Sequence, residues 1–290
     1  MSMDSTAIEE QRPPVPDVEK FVRYTHLDKS YGYLPGMREA QPTLFGLSPE
    51  SYQAARERFA RAAREAAETL LAGADETTAI DRWTVAGPST VLVVGDSLTD
   101  DLQSWVEILR AALGLRRPDH AVRLINGGLS AHTSAMILRS WPATLAAVKP
   151  DVVVCALGGN DVTRVGPGAR KTQVSIDESL ANLSELRRIA KTLVSPRWIW
   201  VTPASVDEDR VAGFPPFRFG HSSWANTDVR LLVDGMRGLG GPLIDLTTVF
   251  GIPAAPDLVG DDGVHPTLAG QLAIARAAVA PLARACERRQ

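Results

Sequence analysis

Two kinds of apolar pattern run along the chain, and they meet near residue 89. Ahead of that point, Tyr52, Ala55, Phe59, Ala62, Ala66 and Leu70 recur at helical spacing, with Arg and Glu on the opposite face. The spacing predicts a helix over 49–73, with Ser48 as N-cap, Pro49 in the first turn and Gly73 as the stop. Beyond residue 89, short apolar runs rich in β-branched residues occur at 90–95, 121–125, 151–157, 197–202 and 242–245. Amphipathic stretches at about 101–113, 133–147, 175–194 and 226–238 separate them, and a last one covers 267–285. Near-continuous apolar strands alternating with helices indicate a parallel sheet covered on both faces. The expected architecture is α/β, three layers (α/β/α) around a five-stranded parallel sheet, preceded by an N-terminal helical extension.

Residues 1–20 are acidic and broken by proline and read as a flexible tail. Residues 21–85 read as an extension or cap, and 86–290 as the α/β domain. Within the extension, 21–47 holds Tyr24, His26, Tyr31, Tyr33 and Phe45 with no clear period, which suggests an irregular but docked segment. No apolar run approaches the ~18–20 residues of a membrane span, and the N-terminus lacks a signal-peptide core. The expectation is a cytoplasmic chain with no membrane partner.

Composition changes this picture little. With 290 residues, 44% hydrophobic and 22% charged, overall disorder is excluded. Lys plus Arg number 31 against 34 Asp plus Glu, a net charge of −3, which argues against a nucleic-acid partner. Two cysteines, Cys155 and Cys286, cannot make a disulfide framework, and Cys155 falls mid-strand where it should be buried and inert.

In parallel sheets of this kind, ligands bind at the carboxyl ends of the strands. Four blocks fall there or before the last helix: Gly95-Asp96-Ser97, Asn126 to Thr133, Gly158-Gly159-Asn160-Asp161 and Asp262-Gly263-Val264-His265. Each alone reads as an ordinary turn or helix cap. Together, in this order, they resemble the blocks of the SGNH/GDSL hydrolase (esterase/lipase) family over residues 90–285. The resemblance implies a flavodoxin-like sheet and a serine esterase that acts on a short- or medium-chain acyl ester, a small-molecule substrate, without cofactor or metal. An acyltransferase using the same machinery on a sugar or other alcohol is the alternative.

The chemistry explains why those residue types are needed. A serine hydroxyl is a weak nucleophile without a base in hydrogen-bond reach, and His265 is the candidate base for Ser97. Asp262 would orient the imidazole and stabilise its charged form. The resemblance implies three oxyanion donors: the N–H of Ser97, the N–H of Ala131 and the side-chain amide of Asn160. Ala131 stands where the family has glycine, so a positive φ there would be strained, and Gly128 is an alternative donor. A metal-dependent phosphoesterase using Asp96, Asp100, Asn160, Asp161 and His265 would need more histidines than these blocks hold.

Residues around the blocks have plainer expected roles. Asp100 and Asp101 read as caps of the following helix, Ser130 as a turn residue, His132 as a helix-start or cavity-wall residue and His221 as surface. The insertion Ala204 to Ser223 carries Phe214, Phe217 and Phe219 around two prolines, with Trp224 just after. These four are the candidate substrate-binding residues, forming a stiff apolar lip for an acyl chain or aromatic group.

Overall fold

The computed structural model describes residues 17–85 and 88–287. The extension contains helices α1 (Val18–Tyr24), α2 (Leu27–Tyr31), α3 (Met37–Leu44), α4 (Pro49–Leu71) and α5 (Ala74–Val85). After it come β1 (Ser89–Gly95), α6 (Ser97–Asp100), α7 (Trp105–Arg116), β2 (Val122–Gly128), α8 (Ser134–Val148), β3 (Val152–Ala156) and the short β4 (Arg164–Val165). The chain continues through α9 (Ile176–Leu193), β5 (Arg197–Val201), α10 (Glu208–Gly213), α11 (Pro215–Phe219), β6 (Ser222–Ser223) and α12 (Asn226–Arg237). It ends with β7 (Leu243–Ile244), α13 (Leu246–Phe250) and α14 (Leu268–Cys286). The main sheet has five strands in the order β2-β1-β3-β5-β7, all parallel, and β4 pairs antiparallel with β6 beside it.

Each central strand is apolar on both faces because each face meets helices. Val91 and Val93 join one core with Val152, Val154, Ile199, Trp105, Ile108 and Ile274. Leu92 and Val94 join the other with Val153, Cys155, Ile137, Trp141, Leu183 and Leu232. The two-residue period of a strand thus splits one apolar run between two layers. Trp141 is fully buried in the second core and donates its indole N–H to the Leu186 carbonyl at 2.8 Å, so it brings no unsatisfied group inside.

The extension is built into the first layer. Ala63, Ala67, Leu70, Ile80 and Trp83 belong to the same core as α7, α14 and the sheet. Alanines at the packed positions of α4 let it lie close against α7. Its N-terminus follows the expected chemistry, with Ser48 Oγ accepting from Ser51 N–H and Pro49 next to it.

Two expectations need correction here. Residues 21–47 are largely helical: α1, α2 and α3 are short, and their weak helical pattern is stabilised by docking rather than by propensity. Helix α1 also begins inside the segment read as a tail, whose residues 1–16 lie outside the described residues. No helix among the described residues is long and apolar enough to cross a membrane.

Candidate active site

The first, second and third strands each deliver a block to the same end of the sheet. After β1, Asp96 breaks from the strand and its side chain accepts from Leu98 N–H at 3.0 Å, which starts α6 with Ser97 in its first position. The β2 block must pass close to α6. A Cβ on Gly128 would stand 2.5 Å from the Asp100 backbone nitrogen, so only glycine fits.

The fourth block is a turn closed on itself. Asp262 Oδ1 accepts from the backbone N–H of Val264 at 3.0 Å and of His265 at 2.9 Å. Gly263 at φ +74 makes the bend, and a side chain there would meet the Asp207 carbonyl at 2.4 Å. This turn leaves Asp262 Oδ2 2.9 Å from His265 Nδ1, and His265 Nε2 lies 2.9 Å from Ser97 Oγ. Ser97, His265 and Asp262, chosen from sequence, therefore form one hydrogen-bonded line. With Nδ1–H donated to the carboxylate, Nε2 is the acceptor for the Ser97 hydroxyl proton. Burial pushes the Asp262 carboxyl up, but the His265 hydrogen bond and charge, with the two backbone N–H groups, outweigh it and hold the carboxyl well below its usual range.

Asp96 goes the other way. Its burial, helped by the charge of Asp161, raises its carboxyl to about 6 against the Leu98 N–H bond and the charge of His265.

Three donors were expected around Ser97. Asn160 and Ala131 line one cavity of about 780 Å³ together with Ser97 and His265. Asn160 also donates one amide hydrogen to the His132 carbonyl at 3.2 Å, which ties the third block to the second. Ala131 sits at φ +62, the left-handed region that costs alanine about 1 kcal/mol or more. The Gly128 alternative is corrected: its N–H is taken by the side-chain oxygen of Asn126, two positions earlier on β2, at 3.0 Å.

The aromatic insertion divides. Phe214, Phe217 and Trp224 line the same cavity, with Phe214 5.0 Å from Phe217 and Phe217 4.8 Å from Trp224 between ring centres. Trp224 is anchored by donating its indole N–H to the Gly159 carbonyl at 3.0 Å. Phe219 does not belong to this wall. It sits at the far end of α11, is 50% exposed and does not line the cavity.

Asp100 and Asp101 also differ from expectation. The N-cap of α7 is Ser104, whereas both aspartates are buried against the extension. Asp101 takes a two-pronged bond from Arg23 at 2.8 and 2.6 Å. Asp100 Oδ1 meets His26 Nδ1 at 2.7 Å and Lys29 Nζ at 2.5 Å. Burial raises the Asp100 carboxyl, yet His26 and Lys29 prevail and hold it below its usual range.

Sequence reasoning missed these partners, along with Tyr24, whose ring lies 4.6 Å from that of His265. The aromatic density of 21–47 was the one signal that this segment is docked. His132 points its Nδ1 to the Ser130 carbonyl at 3.1 Å and does not line the cavity. His221 is exposed. Cys155 is fully buried, and burial pushes its thiol up, away from reactivity. Among the described residues, no group of three or more His, Cys, Asp or Glu gathers as a metal site. Asp161 is instead bound to the Ser134 N–H at 2.7 Å and hydroxyl at 2.5 Å.

A family model described as the GDSL-like lipase/acylhydrolase family matches residues 93–273. Esterase TesA of Pseudomonas aeruginosa is 32% identical over 191 residues, which cover 64% of this chain and 84% of that protein. An acetylxylan esterase from Geobacillus stearothermophilus is 27% identical over 209 residues, 64% of this chain and 90% of its own. A crystal structure of the latter enzyme superimposes with a TM-score of 0.52 at 23% identity, covering 71% of this chain and 97% of that one. An α/β hydrolase from the metagenome of Lake Arreo, Spain, does so with a TM-score of 0.52 at 24% identity, covering 71% and 100%.

Proposed function

The chain belongs to the GDSL-like lipase/acylhydrolase family and is a hydrolase of ester bonds; from that premise we propose that it cleaves a short- or medium-chain acyl ester through an acyl-enzyme on Ser97. The observation that carries this reading is the unbroken line from Ser97 Oγ to His265 Nε2 and from His265 Nδ1 to Asp262 Oδ2, each link 2.9 Å.

The steps follow from that line. Ser97 Oγ attacks the ester carbonyl carbon while its proton passes to His265 Nε2. Asp262, which stays ionised, stabilises the imidazolium without taking its proton. The carbonyl oxygen gathers negative charge and is received by the N–H groups of Ser97 and Ala131 and the amide of Asn160. Collapse of the tetrahedral intermediate expels the alcohol, which takes the proton from His265. Water then enters, gives its proton to His265 Nε2 and attacks the acyl carbon, and the acid leaves as the proton returns to Ser97.

The substrate is bounded by the cavity. Phe214, Phe217, Trp224 and Tyr24 make an apolar wall, while Lys20, Asp17, Gln173 and Thr163 supply polar groups around it. That pairing suits a modest acyl group on a polar scaffold. Hydrolysis of p-nitrophenyl esters of increasing chain length tests the reading, with Ser97→Ala beside the wild type. Turnover highest on short or medium chains and lost in Ser97→Ala is expected. A steady rise to long chains, or turnover in Ser97→Ala equal to wild type, overturns it.

A further inference from the structure

We infer that residues 20–29 of the extension are a positioning element of the catalytic centre, clamping the turn 129–132 so that Ala131 keeps the left-handed backbone in which it faces the cavity. This rests on the reading that Ala131 N–H is an oxyanion donor. The family match begins at residue 93, so the clamp comes from outside the part of the chain that it covers.

An alanine at φ +62 persists only where its surroundings over-determine the backbone. Here the surroundings converge on Asp100. Its Oδ2 accepts from Ser130 N–H at 3.1 Å and lies 3.0 Å from Ser130 Oγ. The Ser130 hydroxyl sits between that carboxylate and the Tyr24 carbonyl, and its one proton serves either. Asp100 Oδ1 is held in turn by His26 and Lys29. Lys29 Nζ also reaches the Gly128 carbonyl at 3.1 Å, at the entry to the turn.

Two facts make this more than surface stitching. The side chains of His26 and Asp100 are 3% and 2% exposed, so their bonds act where solvent competes little and an unpaired carboxylate would be costly. Asp100 is also the last residue of the helix that starts with Ser97, so one carboxylate joins the nucleophile's helix to the turn carrying Ala131. The same segment continues to the base, where Tyr24 packs on the His265 ring and Lys20 Nζ stands 3.9 Å from Asp262 Oδ2. The clamp on the turn comes from His26 and Lys29, which do not line the cavity and act through Asp100 and the turn itself.

The test is steady-state hydrolysis of p-nitrophenyl acetate by Ser130→Ala, Ser130→Thr, Lys29→Met and Ser97→Ala, each checked for its melting temperature. A small displacement of an oxyanion donor should lower kcat on the order of tenfold in Ser130→Ala and in Lys29→Met, with KM within about twofold of wild type. Ser130→Thr keeps the hydroxyl and should recover most of the rate. Wild-type kcat in both Ser130→Ala and Lys29→Met overturns the inference. So does a raised KM at unchanged kcat, which would mean substrate contact, or a kcat loss that only tracks lost folded protein. If Ser97→Ala is inactive while Ser130→Ala and Lys29→Met are normal, the inference alone falls. If Ser97→Ala turns over like wild type, the acyl-enzyme reading falls, and this inference falls with it.

Discussion

The two sides of the Ser97 hydroxyl are held in different ways. On the base side, Asp262 and His265 are three positions apart and the turn between them makes its own bonds, so short-range geometry fixes that pair, and only its link to Ser97, 168 positions away, depends on the fold. On the proposed oxyanion side, the turn at Ser130 and Ala131 is held by Tyr24, 106 positions from Ser130, and by Asp100, which is itself tied to His26 and Lys29 74 and 71 positions away. A local motif carries its own instructions, whereas a site held by distant chain depends on the fold being complete. The base side should therefore respond to point changes in chemistry, and the oxyanion side to changes in the extension as well.

The largest break of this comparison is Asp262→Asn. It keeps the shape of the turn but reverses which imidazole nitrogen carries the proton, and kcat should fall about 10⁴-fold with the melting temperature little changed. Near-normal kcat would remove Asp262 from the line. Next is Asn160→Ala, which deletes a proposed oxyanion donor and should lower kcat by about 10²–10³-fold. A rise in KM alone would make Asn160 a binding residue.

The aromatic wall sharpens the comparison further. Phe217→Ala removes a ring that packs on Trp224 in the cavity and should raise KM for a butyrate ester by roughly fivefold. Phe219→Ala, outside the cavity, should stay within about twofold, and equal effects from the two would contradict the assigned wall.

The smallest effect concerns the pH dependence of stability, where the two aspartates differ in sign. Asp96 holds its proton in the fold up to about pH 6, whereas an unfolded aspartate ionises near 4. Its contribution is therefore full below about pH 4 and lost as pH rises to 6. Asp262, shifted down, contributes above the unfolded value and loses that contribution as pH falls. Asp96→Asn keeps the capping oxygen, so the melting temperature of wild type relative to this variant should drop between pH 4.5 and 6.5. Parallel curves would contradict the assignment.

The same contrast explains what could be read from sequence. The strands and the large helices were legible because their apolar periods are long, and the five runs expected from 90 to 245 correspond to β1, β2, β3, β5 and β7. Ser97, Asn160, Asp262 and His265 stood out because each sits in a short block of small residues just past a strand or before the last helix. The roles of Asp100 and Asp101 did not, since an aspartate that caps a helix and one that binds a distant arginine or lysine look alike in a local window. Helices α1 to α3 were hidden for a related reason, as short segments whose order comes from the body that they dock on. Phe219 was misplaced because spacing alone does not say which side of the short helix α11 faces the cavity.

Intact mass after incubation with a fluorophosphonate probe, on wild type and Ser97→Ala, tests most directly whether Ser97 is an activated nucleophile. A single adduct on the wild type and none on Ser97→Ala is the expected result. No adduct on the wild type, or an adduct of equal yield on Ser97→Ala, would contradict it.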